Sequence, residues 1–392
     1  LDAANDRLYG VGFRRVGTAN RKAIILARKA DGTPDLEFNG TGEVQLDTAV
    51  YGSENTEEFF GVAVDSAGDI YACGKLCTDA NCANAGGSGW GWWVQKVDSN
   101  GNLVWADKTT FNDGSVSYEV CQDVEYDPIN DRIIAVGPTS SAANGVASYD
   151  PGSATPSWSR LSTVGSFQAG LGRMNTVAIS ADDAAIYILG TTAGTSYEIS
   201  RITADGATLT VSASIVGPPG GGNYGILTIG KLNGTEYLWA HTDIDKSVYK
   251  LTADAAMTQE GTALTGCEGL DLTAVPWNSN FYRAWSMEVL EEPTGTASSL
   301  YIMGGGALSA SAVRHATVFR FVMDGATCTD PSGVWALGAN QSHFYYGTSG
   351  HSYIFGSDRD PAMNYIYTSM IATGIGGGAT DDVKFWGRSG GP

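Results

Sequence analysis

The sequence predicts an all-β fold, a β-propeller of seven blades with mostly four antiparallel strands each. Three observations carry this expectation: the composition, a hairpin pattern that recurs along the chain, and the spacing of that recurrence. The 392 residues are 43% hydrophobic, enough for a large core, and only 17% charged, with 52 glycines and 18 tyrosines. Sparse Lys with abundant Gly, Tyr, Val, Ile and Thr favours strands and tight turns over helices.

The recurring hairpin is clearest at 59–74, "FFGVAVDSAGDIYACG", and returns at 123–137, "DVEYDPINDRIIAVG", and 176–190, "TVAISADDAAIYILG". Weaker copies follow at 226–240, 287–304 and 353–369. Each is a pair of alternating apolar runs separated by Asp, Gly, Asn or Pro, which is a hairpin signal. The centre of the second run falls at Tyr9, Tyr71, Ile134, Tyr187, Leu238, Tyr301 and Tyr367, so the gaps run from 51 to 66 residues. Seven such strand-rich units predict a single propeller domain over 1–392, divided roughly at 1–58, 59–117, 118–171, 172–223, 224–280, 281–350 and 351–392.

A third strand follows each hairpin and ends in an acidic turn, as at Ala30-Asp31-Gly32, Asp98-Ser99-Asn100-Gly101 and Ala204-Asp205-Gly206. The oxygen-rich run from Asp98 to Asn102 resembles the start of a calcium loop. It occupies the place of the Asp-Gly turns in other units, however, and the bidentate Glu of such a loop is replaced by Thr109. A turn is expected there, with Asp capping through its side chain and Gly or Asn at positive φ.

These residues carry a family resemblance. "ILARKADGTPDLEFNGTGEVQLD", with Asp35-Leu36-Glu37-Phe38 and Asn39-Gly40-Thr41-Gly42, followed by "EFFGVAVDSAGDIYACG", resembles the delta-60 type bacterial β-propeller repeat. "WWVQKVDSNGNLVWADK" is similar to related secreted propeller repeats. The resemblance spans about 5–137, and the later turns lack the Asp-x-x-Phe element. It implies a bacterial surface or secreted propeller and attaches no activity.

The net charge of −19 argues against nucleic acid and against an electrostatic grip on anionic membranes. No run of apolar residues is long enough for a membrane span, and no membrane insertion is expected. Six cysteines suggest disulfides and an extracellular or cell-surface location. Cys77 and Cys82 are expected to pair across a short loop, Cys73 and Cys121, on strands of neighbouring units, are a second candidate pair, and Cys267 and Cys328 pair by elimination. Aligning the opening "LDAANDRLYGVG" with "VDSAGDIYACG" sets Leu1-Asp2 on Val64-Asp65, and the last unit stops after three strands. The chain is therefore expected to belong to a longer one, or to take a strand from a neighbouring subunit.

Catalytic motifs are missing, and no catalytic residue, metal or cofactor is expected. Gly220, Gly222 and Gly225 match a dinucleotide fingerprint, but a strand-like run follows where a helix is needed. The adjacent carboxylates Glu57-Glu58, Asp182-Asp183, Glu291-Glu292 and Asp381-Asp382 would point to opposite sides of an extended chain, so they read as solvated surface. Acids from different blades can still converge on one face. Two aromatic clusters are the binding candidates: Trp90, Trp92 and Trp93 beside a Gly/Ser loop, and His343, Tyr345 and Tyr346. Exposed rings there would stack on a sugar or anchor a peptide, while buried ones would fill the wedge between blades.

Three functions fit these features. The leading one is a non-catalytic extracellular module that recognises a glycan or a protein on a surface and acts in adhesion. The second is a structural subunit of a surface fibre or layer, assembling with neighbouring subunits. The third is a propeller enzyme using the central funnel, a glycan lyase, a hydrolase or a quinoprotein-like dehydrogenase.

Overall fold

A computed structural model describes residues 2, 5–16, 20–29, 31–46, 57–77, 90–111, 119–139, 144–161, 176–191, 197–211, 225–242, 248–259, 283–291, 298–307, 314–324, 327–329, 343–344, 352–360, 365–372 and 382–387. From residue 303 onward the strands are described through their backbone.

The described residues form seven antiparallel sheets and no helix. The first sheet joins β1 (Arg7–Val16), β2 (Asn20–Lys29) and β3 (Glu43–Gln45). The second joins β4 (Glu58–Val64), β5 (Ile70–Cys77), β6 (Trp90–Val97) and β7 (Leu103–Asp107). The third joins β8 (Asp123–Asp127), β9 (Arg132–Pro138), β10 (Asn144–Tyr149) and β11 (Trp158–Leu161). The fourth joins β12 (Thr176–Ile179), β13 (Ile186–Thr191), β14 (Tyr197–Ile202) and β15 (Leu209–Val211). The fifth joins β16 (Gly225–Leu232), β17 (Thr235–Thr242) and β18 (Val248–Thr252). The sixth joins β19 (Arg283–Glu291), β20 (Ser298–Ala307), β21 (Arg314–Asp324) and β22 (Thr327–Thr329), and β23 (His343–Phe344) also pairs with β21. The seventh joins β24 (Ser352–Asp360), β25 (Tyr365–Ala372) and β26 (Asp382–Gly387). This is a β-propeller of seven blades, with four strands in the second, third and fourth.

The repeat read from the sequence is the repeat of the sheets. Tyr9, Tyr71, Ile134, Tyr187, Leu238, Tyr301 and Tyr367 each fall in a different sheet, on β1, β5, β9, β13, β17, β20 and β25. The first three sheets and most of the fourth lie in one compact unit, Leu1–Gly194 with Ser200–Thr210. The last three lie in a second, Val211–Pro392, which also takes Thr195–Ile199. Within the first unit, β4 packs against β8, and β8 against β12. Within the second, β16 packs against β19, and β19 against β24. The leading strand of a blade is thus the one that meets its neighbour's leading strand.

The first unit buries its core between successive sheets. Side chains alternate across a strand, so a blade with neighbours on both sides must be apolar at every position. On β9, Ile133 and Ala135 pack toward the second sheet, while Ile134 and Val136 pack toward the fourth. On β5, Ile70 and Ala72 join the core shared with the first sheet, and Tyr71 and Cys73 join the core shared with the third. Cys73 forms a disulfide with Cys121, just ahead of β8, with the two Cα atoms 5.4 Å apart. That bond ties the second blade to the third. The expected Cys77–Cys82 and Cys267–Cys328 bonds lie outside the described residues.

The acidic turns behave as the sequence suggests. Asp98 Oδ1 accepts the amides of Asn100 and Asn102 at 2.9 and 2.8 Å, Oδ2 accepts the Asn102 side-chain amide, and Gly101 sits at φ +88°. Burial pulls the Asp98 carboxyl up, but these amide donors outweigh it and hold it below its ordinary value. Its oxygens are occupied by the turn rather than arranged around a cation. The Asp-x-x-Phe element is a docking piece between the first two blades. Asp35 pairs with Arg7 at 2.7 Å, Phe38 is buried edge-on to Tyr9, and the Asn39 amide donates to the Asn100 carbonyl at 2.8 Å.

Candidate active site at the leading strands

Two of the aromatic binding candidates are corrected. Trp92 and Trp93 are both 0% exposed. They are neighbours on β6, so they point to opposite faces and fill two different blade interfaces. The Trp93 indole stacks at a tilt on Phe59, 4.3 Å between centroids, with the Lys108 ammonium 5.7 Å from the ring. The Trp92 indole meets Phe111 edge-on at 5.0 Å and donates weakly to the Tyr149 hydroxyl. Neither ring offers a face to a ligand. Trp90 begins β6 and His343 begins β23, but their side chains lie outside the described residues, as do Tyr345 and Tyr346 entirely.

The pair Glu57-Glu58 is also corrected. Both are buried, at 2% and 4% exposure, rather than solvated. Glu58 opens β4 and pairs with the Arg21 guanidinium and, at 3.4 Å, with the Lys75 ammonium. Arg21 stands at the start of β2, and its guanidinium lies 4.6 Å over the Phe13 ring. Lys75 is held across β4 by register, opposite Glu58. Burial pulls the Lys75 ammonium below its ordinary value, and the Glu58 charge works against that pull. Burial acts the same way on Lys108, where Glu57 supplies the opposing charge.

Sequence reasoning missed Asp123, the first residue of β8. Its carboxylate joins two blades: Oδ2 accepts the amide of Val177 on β12 at 2.9 Å, and Oδ1 accepts the amide of Val124. Its backbone lies against Gly61 of β4, where an added Cβ would stand 2.9 Å from the Asp123 Cα. Only glycine allows β4 and β8 to approach this closely. The residue keeps some solvent access, yet the carboxyl is enclosed enough that burial pushes it up to about 7, against the two amide donors that favour the anion. The signal in the sequence was slight. "CQDVEYD" places an acid at the head of an alternating run, as a turn or an edge would.

The Asp123 carboxyl and the Arg21–Glu58–Lys75 network belong to one end of the leading strands. Gly74, next to Lys75, accepts the Cys121 amide at 3.0 Å, two residues before Asp123. This end therefore combines a carboxyl that titrates near neutrality with a buried anion flanked by cations. A carboxyl near neutrality can both take and return a proton, which is what a general acid–base needs.

No protein-family model matches the chain, and no curated protein matches it in sequence. Solved structures do. A protein from Lactobacillus plantarum is 10% identical with TM-score 0.52, covering 97% of this chain and 99% of its own. A putative 6-phosphogluconolactonase from Bacteroides fragilis is 13% identical with TM-score 0.50, covering 98% and 99%. The periplasmic gluconolactonase of Pseudomonas aeruginosa is 10% identical with TM-score 0.51, covering 96% and 98%. Identities this low show the fold alone. The expectation that the chain is not an enzyme is corrected to this extent: two propellers of matching length carry enzyme names, so the fold is no argument against catalysis. Among the described residues no helix is long and apolar enough to cross a membrane.

Proposed function

We propose that the chain is a propeller hydrolase that opens a lactone or a related ester of a sugar acid, with Asp123 as its general acid–base. The observation that carries this reading is the Asp123 carboxyl, raised to about 7 at the start of β8. Two propellers of matching length named for gluconolactone or its 6-phosphate make that substrate class the first to test. The Cys73–Cys121 disulfide supports work outside the reducing cytoplasm, in a secreted or periplasmic setting.

In this reaction the Asp123 carboxylate takes a proton from water as the water oxygen bonds to the lactone carbonyl carbon. The ring C–O bond then breaks, and the proton passes from Asp123 to the departing alkoxide oxygen. Products are the open hydroxy acid and regenerated carboxylate. The rate should rise with pH through about 7, as Asp123 gains the form that accepts a proton.

The test is a pH-indicator assay with D-glucono-δ-lactone, corrected for spontaneous opening. The protein should accelerate opening, and Asp123→Asn should reduce the enzymatic rate on the order of 100-fold, with its thermal melt still cooperative. No acceleration by the wild type, or full activity in a folded Asp123→Asn variant, would refute the proposal.

A further inference from the structure

The sequence pattern of β4 breaks at Phe60. Phe59 pairs with Gly74 and Gly61 with Cys73, so Phe60 has no partner across the hairpin and marks a β-bulge. Bulges re-aim a side chain and gather near functional sites. Phe60 is 46% exposed. The other large exposed apolar side chains among the described residues are Leu36, Leu103, Val104 and Ile129. Leu103 and Val104 lie on β7, the far strand of its sheet, and Leu36 and Ile129 lie in turns. Phe60 alone of these is aromatic and on a leading strand.

Charged groups lie beside it. The Lys75 ammonium stands 5.6 Å from the Phe60 ring centre and also reaches Glu58. Glu58 in turn holds Arg21, whose side chain keeps about a third of its surface open. The next residue, Gly61, lies against Asp123. A half-exposed aromatic ring, a partly exposed guanidinium and a carboxylate–ammonium pair are groups that recognise a pyranose. The ring's C–H face packs on the aromatic, and its hydroxyls bond to the charged groups.

We infer that Phe60, with Arg21 and Lys75, forms a saccharide subsite beside Asp123 that seats a pyranose ring on the Phe60 face. This deepens the hydrolase reading and rests on it for the use of the site, but binding is measured apart from turnover.

The test is saturation-transfer NMR with cellobiose as the probe and sorbitol as the acyclic control, on wild type, Asp123→Asn, Phe60→Ala and Phe60→Trp. Transfer to the cellobiose ring protons is expected in wild type, Asp123→Asn and Phe60→Trp, and not to sorbitol. Phe60→Ala should weaken binding about fivefold, within the range an aromatic face contributes. Phe60 is exposed, so its truncation should leave the melt unchanged. Undiminished transfer in Phe60→Ala, equal transfer to sorbitol, or no transfer to cellobiose in wild type would each overturn the inference. Binding by Asp123→Asn together with an absence of lactone opening by wild type would sink the hydrolase reading and leave this subsite standing.

Discussion

At the scale of single residues, Asp123 should leave a mark on stability as well as on chemistry. An unfolded Asp titrates near 3.9, whereas burial raises Asp123 to about 7 in the fold. Between those values the folded state holds a proton that the unfolded state has released. Stability from this group therefore falls as pH rises from about 4 to about 7 and is level above that. Asp123→Asn cannot titrate, so the stability difference between wild type and variant should shift in favour of the variant across that window. Urea melts of both proteins at pH 4.5, 6 and 8 check it, and a constant difference would show that the carboxyl is not raised. Residues spending their side chains on their own turn were legible in the sequence, as Asp98 was, because the interaction is local. Asp123 and Glu58 were not, because their partners arrive from other blades: Val177 is 54 residues away and Arg21 is 37.

At the scale of elements, the hairpins were legible and the fate of their side chains was only partly so. Two apolar runs split by Asp and Gly fix a hairpin, whatever lies on its faces. Whether Trp92 and Trp93 sit on a surface or between blades depends on sheets encoded elsewhere. The β6 run "WGWWVQKV" is apolar on both faces at Trp92 and Trp93, which is the pattern of a strand covered from both sides. The Cys73–Cys121 bond acts at this scale, because it joins β5 to the approach to β8 across a separation of 48 residues. Closing a loop of that size in the unfolded chain is worth about 4 kcal/mol in the chain-entropy account. Cys73→Ser with Cys121→Ser should lower stability by about that much, read as a lower urea midpoint. Added reductant should do the same to wild type and nothing further to the double variant. An unchanged wild-type midpoint under reductant, with the thiols shown to be free, would mean that packing alone holds the two blades together.

For the whole molecule, the seven-fold repeat was legible because it is written once per blade, while function is not written in the repeat at all. What the sequence states plainly is charge: 42 acids against 23 bases, a net of −19. Such an excess repels itself in the compact state, and the repulsion is long-ranged and screened by salt. Exposed ion pairs such as Arg14–Glu43 weaken in salt too, but each is worth roughly 0–1 kcal/mol at most. The repulsion summed over the excess acids should outweigh them. Thermal stability at pH 7.5 is therefore expected to rise by a few degrees as sodium chloride goes from about 10 to about 150 mM, over which the screening length falls from roughly 30 to 8 Å. Lowering the pH toward the isoelectric point of 4.4 should also stabilise, but through two causes at once, surface neutralisation and protonation of Asp123. Salt separates them. Screening relieves the surface repulsion and leaves the burial of the Asp123 carboxyl untouched, so the wild-type and Asp123→Asn melts should rise in parallel with salt while diverging with pH. A fall in melting temperature with added salt would mean that local ion pairs, rather than the net charge, govern the electrostatics of this fold.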